Sequence, residues 1–561
     1  MLLAACATPA GPQTTDGGGA SSSAPSHPRT VTIAVKAEIP DVAGKVGGGD
    51  TFSGEFNFLS TSPLAVHDGR GVAHPLLAEA LPSRDNGTWV VNPDGTMTTT
   101  WRIRPDAKWH DGRPITPEDY AFTLRVYQSP DLPVTTREPE RFMDRIERLD
   151  DRSFVIHWNR TYPWANELIA RQLDPLLARH VMESAFDTME PAIFLRQEFW
   201  LRKSWIGNGP YRVVQVDPGT RVIFRAFDDY FLGRPRLDEV VFQIIEDTNT
   251  VLANLLSGAA DVSVGVTLGQ IAGATVRERW RETGDGEVVI TPVRFRFYEF
   301  QHDPAHNRTP AVLDPRVRQA FAHAVDRKSL AEVVSAGTSP VAHMFLSPGH
   351  ALYERALSGG LPQYDFDQIR ALALLSEAGW TRRGDALVNA GGEQLTVEIR
   401  TTGGTDNETE ASIIAADLTR IGIAASLNVM SEALQENDEY RSTFPAVNGT
   451  ARSIRSPETM GIWTTAQCPN PRQNYRGANR GCWRNESFDR LFQVASTSLD
   501  ANERADATAA AVRLLAQEVG VLGLSYNSEN IAVRRGLVGP GSRSSEQVGN
   551  TWNIQDWHWV I

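Results

Sequence analysis

At 561 residues, 41% of them apolar and 22% charged, the chain is too long for one hydrophobic core and ordinary enough in composition to fold as several globular lobes. A formal net charge of −13, with no basic stripe interleaved with aromatics, excludes nucleic acid as a partner. Beyond the N-terminus no apolar run reaches the roughly eighteen residues needed to cross a bilayer.

In chain order, the first signal is Leu3-Ala4-Ala5-Cys6, which resembles a bacterial lipobox and marks Cys6 for a lipid. The charged and long apolar regions of a signal peptide are absent before Leu3, which points to a start further upstream. Residues 7–28 are Gly, Ser, Thr and Pro with almost no bulky apolar side chain, the composition of a tether. Val31 to Val35 then reads as the first strand, and Phe52, Phe56, Asn57 and Phe58 follow a glycine-rich stretch. Leu77 to Pro82 reads as the end of a helix. Asn92-Pro93-Asp94-Gly95 is a hairpin turn before a strand over Thr98 to Arg104. Lys108 to Gly112 turns again, and Thr116-Pro117-Glu118-Asp119 opens a helix with an N-cap hydroxyl, a first-turn Pro and acids at the positive end of the dipole.

A second unit begins at Gly207-Asn208-Gly209-Pro210-Tyr211. Val222, Phe224 and Ala226 alternate as a strand, and Val240 to Ile245 is so apolar that a central strand covered on both faces is expected. A helix over Thr248 to Ser257, stopped by Gly258, and a strand over Asp261 to Val264 complete a βαβ pattern. A third unit follows the strand Phe295 to Phe300. Asp314 caps a helix over Arg316 to Val325, and another runs from Asp367 to Ala378. Strands at Leu395 to Arg400 and Ala424 to Val429 flank a helix over Glu410 to Ile421. The pattern is α/β throughout, without a solenoid repeat.

Four of these stretches, in order, resemble the family 5 extracellular solute-binding proteins, the peptide, dipeptide and nickel binders of ABC importers. They are Leu77 to Leu81 with Asp94-Gly95 and Trp101 to Thr116; Gly207 to Tyr211 with Asp229 to Pro235; Val317-Arg318-Gln319-Ala320 with Asp326-Arg327; and Tyr364-Asp365 with Leu374 to Trp380. The resemblance implies an α/β, periplasmic-binding-protein-like clamshell of the large three-domain type II form, with mixed sheets in each lobe. Domain I would take residues 29–70, 205–292 and 526–561, domain II residues 71–204 and domain III residues 293–525, with residues 1–28 as signal remnant and tether. It further implies a monomeric, extracytoplasmic lipoprotein, anchored through Cys6, that passes an oligopeptide or similar solute to permease subunits and needs no cofactor or metal.

By that resemblance the ligand lies between domains I and III. Tyr298 and Glu299 sit on the strand entering domain III, where Glu299 is placed to meet a ligand cation. Arg452 lies where the family holds a ligand end and can pair with a carboxylate. Trp463 offers a stacking face, Tyr526 and Asn527 stand at the crossover back to domain I, and Phe56 and Asn57 belong to the opposite wall. The family's Trp-x-x-Asp-Tyr-Pro-Asp segment is missing, since Asn448 to Met460 holds no Asp. Its carboxylate clamp for a peptide amino end therefore does not carry over, which leaves sugars, opines and other organic ligands beside peptides. Cys468 and Cys482 flank a polar loop and are expected to pair, with two free thiols as the alternative. Trp109-His110-Asp111-Gly112 is read as structural. No nucleophile elbow, zinc-protease motif or P-loop occurs; a solute sensor without transport, or a glycoside hydrolase with two distant carboxylates, are the competing classes.

Overall fold

A computed structural model describes residues 29–37, 45–46, 53–134, 137–169, 172–453, 457–541 and 549–560. Cys6, the tether and Phe52 lie outside them. The strands that matter are β1 (Thr30–Val35), β2 (Trp89–Val91), β3 (Met97–Arg102), β4 (Met143–Arg148), β5 (Ser153–Trp158), β6 (Tyr211–Asp217), β7 (Arg221–Ala226), β8 (Glu239–Ile244), β9 (Val262–Ser263), β10 (Gly286–Phe300), β11 (Thr396–Thr402), β12 (Ala424–Met430), β13 (Val447–Ser453) and β14 (Val521–Arg534).

Ten of them form one mixed sheet in the order β12-β11-β13-β10-β14-β9-β1-β8-β7-β6. Its two ends belong to different cores. One is built on Val31, Ile33, Phe224, Val240 and Phe242, the other on Tyr298, Phe300, Val397, Ile399 and Val447. Among the described strands only β10 and β14 run through both. They pair antiparallel from Gly286–Arg534 to Glu299–Val521, with irregularities at Pro292/Arg294 and Arg296/Phe297. Fifteen extended residues span roughly 50 Å, enough to cross from one core to the other. Pro292 cannot donate a ladder hydrogen bond, and it stands beside the first irregularity, where the pairing is already interrupted.

The expected βαβ unit is present: β8 and β9 both pair parallel with β1, joined by the helix Thr248–Ser257. Strand β8 is internal but alternates, with Val240 and Phe242 fully buried and Val241 and Gln243 only half-buried, so its second face is less covered than its composition implied. Leu77 to Pro82 is not a helix end. Its backbone is claimed by neighbours: Ala78 N–H donates to Leu64 (3.2 Å), Glu79 N–H to Arg102 (2.8 Å), and Leu77 accepts from Arg104 (3.1 Å), which holds it extended.

Strands β2 to β5 form a separate four-stranded sheet over a core of Trp101, Trp109, Tyr120, Phe154 and Trp158. The helix Pro117–Gln128 welds this sheet to the first lobe. Tyr120 and Leu124 enter the four-stranded core, while Phe122, Val126 and Tyr127 enter the core of β1, β7 and β8. Asp119 accepts from the Thr116 N–H at 2.9 Å and from the Trp109 indole at 3.4 Å, so the cap and the turn before it share one carboxylate.

The return to the first lobe at Gly207–Tyr211 is sewn to residues 59–62. Asn208 is fully buried; its Oδ1 accepts from Ser62 N–H at 3.0 Å and its Nδ2 donates to the Ser62 carbonyl at 3.1 Å, imitating a backbone pair. A Cβ at Gly209 would overlap the backbone of Leu59 to Thr61, so only glycine permits this approach. His110 closes the joint. Its backbone N–H donates to Gly207 at 2.8 Å, its Nδ1 faces the Gly207 N–H at 3.3 Å and its Nε2 the Gly209 carbonyl at 3.0 Å. Burial drives its pKa down to about 4, so the ring is neutral and serves as a brace. The other end of the chain reaches the same helix: Glu55, in Ser53–Ser60, accepts from the N–H groups of Asn550 (2.9 Å) and Thr551 (3.0 Å).

Asn208→Ala strands both Ser62 backbone groups in a buried joint. The expected cost is about 2–4 kcal/mol, read as a lowered denaturation midpoint at unchanged slope.

Candidate ligand-binding site

Strand alternation divides the expected residues between two faces of the sheet. On β10, Phe295, Phe297 and Glu299 point one way and Arg296 and Tyr298 the other. Tyr298 is fully buried in the second-lobe core. It pairs with Gly449, where a Cβ would come 2.7 Å from its ring. On the same face Arg296 makes a buried bidentate pair with Glu410, at 2.7 and 3.1 Å. These residues hold the lobe together.

The opposite face carries Glu299, paired with Asn448, and Arg452, paired with Phe295. Glu299 is 2% exposed, and its Oε2 has no hydrogen-bond partner among the described residues. Burial pushes its pKa up, opposed by the charges of Arg452 and Arg480, the Asn448 side chain and the Arg480 backbone N–H. Arg441 joins them: its charge is felt at Glu299, Arg452 and Arg480. Burial, then the charge of Arg452, lowers the Arg480 pKa to about 10, and Glu299 works against the shift. None of the three guanidiniums makes an ion pair among the described residues, and Arg452 reaches only the Thr450 hydroxyl, at 3.4 Å. All three arginines are half-buried, so each can reach a solute from beside the buried Glu299 carboxylate.

Each arginine is held by local structure. Arg441 lies in the short helix Asp438–Ser442, whose end is pinned where Gln301 Nε2 donates to the carbonyls of Ser442 and Phe444, both at 3.0 Å. Arg480 follows Asn479, whose buried Nδ2 donates to the carbonyls of Trp463 (3.2 Å), Thr464 (3.1 Å) and Trp483 (2.8 Å). The Gly481 carbonyl accepts from His302 N–H at 2.7 Å. Cys468 and Cys482 are joined as a disulfide, and closing a loop of that length contributes about 3 kcal/mol on the chain-entropy account.

The remaining candidates lie elsewhere. Phe56 is fully buried, edge-on to Phe224 at 5.2 Å, in the first-lobe core. Asn57 is beside it, nearly buried, with Oδ1 lacking a hydrogen-bond partner among the described residues. Trp463 is enclosed by Phe345 (5.3 Å), Phe297 (5.5 Å) and Phe295 (6.2 Å), which leaves no open stacking face. Tyr526 is buried, and its hydroxyl donates toward the carbonyls of Met344 (2.7 Å) and Leu346 (2.6 Å). Asn527, opposite Arg294, is half-buried. Of the eight residues expected from the sequence, Glu299 and Arg452 are brought together; Arg441, Arg480 and Asn448 complete the cluster without having been expected.

The lobes also touch at an edge. The Arg504 guanidinium lies 5.5 Å from the centre of the Trp164 ring, and Leu499 packs against the four-stranded core. Arg504 and Leu499 therefore join the two sides.

The model for "Bacterial extracellular solute-binding proteins, family 5 Middle" matches residues 73–470. The chain belongs to this family. It is 24% identical over 472 residues to the oligopeptide-binding protein AppA of Bacillus subtilis, covering 83% of this chain and 81% of that protein, and 22% identical to the dipeptide-binding protein of Escherichia coli, covering 80% and 82%. The crystal structure of an oligopeptide-binding protein from Thermus thermophilus complexed with a pentapeptide superposes with a TM-score of 0.65 at 23% identity, over 95% of this chain and 96% of that one. The chain is thus an extracytoplasmic solute-binding protein with the family's clamshell fold.

Because burial raises the Glu299 pKa, the ionised carboxylate opposes folding at neutral pH, and that penalty fades as pH falls through the raised value. Glu299→Gln is therefore expected to raise the melting temperature of the unliganded protein at pH 7, with the gain shrinking toward pH 4, as measured by calorimetry across that range.

Proposed function

We propose that this protein captures a peptide-type solute at the face of β10 that carries Glu299 and delivers it to the permease subunits of an ABC importer. The observation that carries this reading is the cluster of Arg441, Arg452 and Arg480 around Glu299, cations with no ion-pair partner among the described residues. A ligand carboxylate would supply the missing charge through charge-assisted hydrogen bonds. The relatives named as oligopeptide- and dipeptide-binding proteins support the ligand class. Glu299 and Asn448 offer the polar contacts that orient a ligand on this face, Asn527 stands opposite Arg294 on the other face of the strand pair, and Tyr526, Trp463, Phe56 and Asn57 act from behind as the packing that holds the walls.

Division at the long strands, with residues 293–525 as the moving domain, supports closure by hinge motion. A ligand that favours the closed form shifts the population only by its differential contacts with it, and the arginine cluster supplies such contacts. We further assign Cys6 as the lipid-bearing residue of a monomeric, membrane-anchored protein, on the strength of Leu3-Ala4-Ala5-Cys6 and the tether after it; Cys6→Ser is expected to release the protein from the membrane fraction.

Mass spectrometry of small molecules freed by denaturing natively purified protein is expected to yield peptides. With a released peptide in hand, Arg452→Ala should weaken its binding at least tenfold by titration calorimetry and leave the unliganded melting point within a few degrees. A released sugar, or unchanged affinity, would overturn the reading.

A further inference from the structure

In the second lobe two helices meet at a tip of three residues. Glu486–Thr497 and Ala501–Gln517 bury Phe488, Ala495, Ala511 and Leu515 in the core of Phe295, Phe297 and Trp463, and Ser498, Leu499 and Asp500 join them. The outer two close the helix ends. The Ser498 N–H donates to the Val494 carbonyl at 2.9 Å, and the Asp500 carboxylate accepts from the N–H groups of Asn502 (2.8 Å) and Glu503 (3.1 Å). These caps fix the direction in which Leu499 projects. Its side chain, half-buried, packs against the core of the four-stranded sheet instead of its own lobe. One turn on, Arg504 is aimed by its Nη1, which donates to the Ser498 carbonyl at 3.0 Å, and its guanidinium lies 5.5 Å from the centre of the Trp164 ring. That ring is backed in turn: Trp164 lies 5.8 Å from Tyr162, which stacks on Trp158 at 5.4 Å. Opposite charges also face each other across the contact, Glu167 acting on Arg504 and Arg84 on Asp500.

We infer that Leu499 and Arg504 form a latch that holds the second lobe against the four-stranded sheet and biases the clamshell toward its closed form. The helix Pro117–Gln128 ties that sheet to the first lobe through Phe122, Val126 and Tyr127, so the latch bridges both halves of the molecule. Its contacts run from side chain to side chain, apolar at Leu499 and cation to ring at Arg504, and they act the same way whatever solute the cleft holds. Another contact between the lobes lies on the crossing strands themselves: Gln270 Nε2 donates to the Ser528 carbonyl of β14, and its Oε1 accepts from the Thr338 hydroxyl at 2.5 Å. A contact on the hinge strands moves little when they flex. Leu499, Arg504 and Trp164 belong to no strand of the ten-stranded sheet, so a hinge opening at β10 and β14 parts them. The latch therefore sets the closed fraction, and the apparent affinity for any solute that needs the closed form scales with that fraction. Pocket residues choose among solutes; the latch adjusts all of them together.

The test uses the full chain, disulfide intact and stripped of solute, in small-angle X-ray scattering beside Leu499→Ser, Arg504→Gln and Arg504→Lys. The first two variants are expected to show a larger radius of gyration than the parent, the closed-to-open ratio fitted to the curves falling about two- to fivefold in each. Arg504→Lys keeps a cation beside the ring and is expected to recover most of the parent's curve. Circular dichroism checks that the helices survive. Arg504→Gln leaves both helix caps and the Leu499 contact in place, so it decides the matter even where Leu499→Ser fails to fold. Curves for Arg504→Gln and Leu499→Ser that superimpose on the parent's overturn the latch. Expansion in Arg504→Lys as large as in Arg504→Gln overturns the part assigned to the cation and the ring.

Discussion

Two strands carry the architecture. Among the described residues, β10 and β14 are the elements that belong to both halves of the ten-stranded sheet, and every other strand of that sheet is ordered by its place relative to them. Because a strand's side chains alternate strictly, the same pair fixes which residues stabilise a lobe and which are free to meet a solute. Tyr298 and Glu299 are neighbours in sequence and opposites in role for this reason alone. Hydrogen bonding along the pair is continuous except at Pro292/Arg294 and Arg296/Phe297, and a ladder weakened at those points bends there more easily than in its regular stretches.

Around this pair the protein separates two kinds of electrostatics. On the lobe-facing side, charges are closed: Arg296 meets Glu410, and Arg318 spends its guanidinium on the carbonyls of Val312, Leu313, Glu518 and Val519. On the other side they are open, with burial working against both Glu299 and Arg480. An open arrangement is tolerated only because rigid neighbours leave the side chains no relaxed alternative. The Asn479 hub, the Cys468–Cys482 bond and the Gln301 clamp provide that rigidity.

Local chemistry was well legible in the sequence. The Asp94-Gly95 hairpin, the capped helix after Thr116, the helix Thr248–Ser257 and the Gly207–Tyr211 return each follow from short-range rules that tertiary contacts seldom override. Leu77–Pro82 is not the helix end its sequence suggests, because the segment alone says nothing about the neighbouring stretches at Pro63, Leu64 and Arg102, which take its backbone groups. Phe56, Trp463 and Tyr526 carry the residue types of a stacking site, but the same ring chemistry fills cores, and only the contacts decide between the two. Arg441 and Arg480 were invisible for a plainer reason. They lie far apart in the sequence, one in a short helix and one in a turn, and an arginine without a partner looks like any surface arginine until its surroundings are known.

The ties of Glu55 to Asn550 and Thr551, together with the inner position of β14, bear on how the chain is made. The first lobe's helix at residues 53–60 waits for hydrogen bonds from residues some five hundred positions later, and β9 has no neighbour on one side until the same late stretch arrives. A partly made chain therefore lacks a finished first lobe, although the core of the four-stranded sheet is drawn from residues 64–178. Domains ordinarily fold one after another as they emerge; here the topology defers completion to the final segment. The first lobe is closed only when the segment that carries β14, Asn550 and Thr551 is in place.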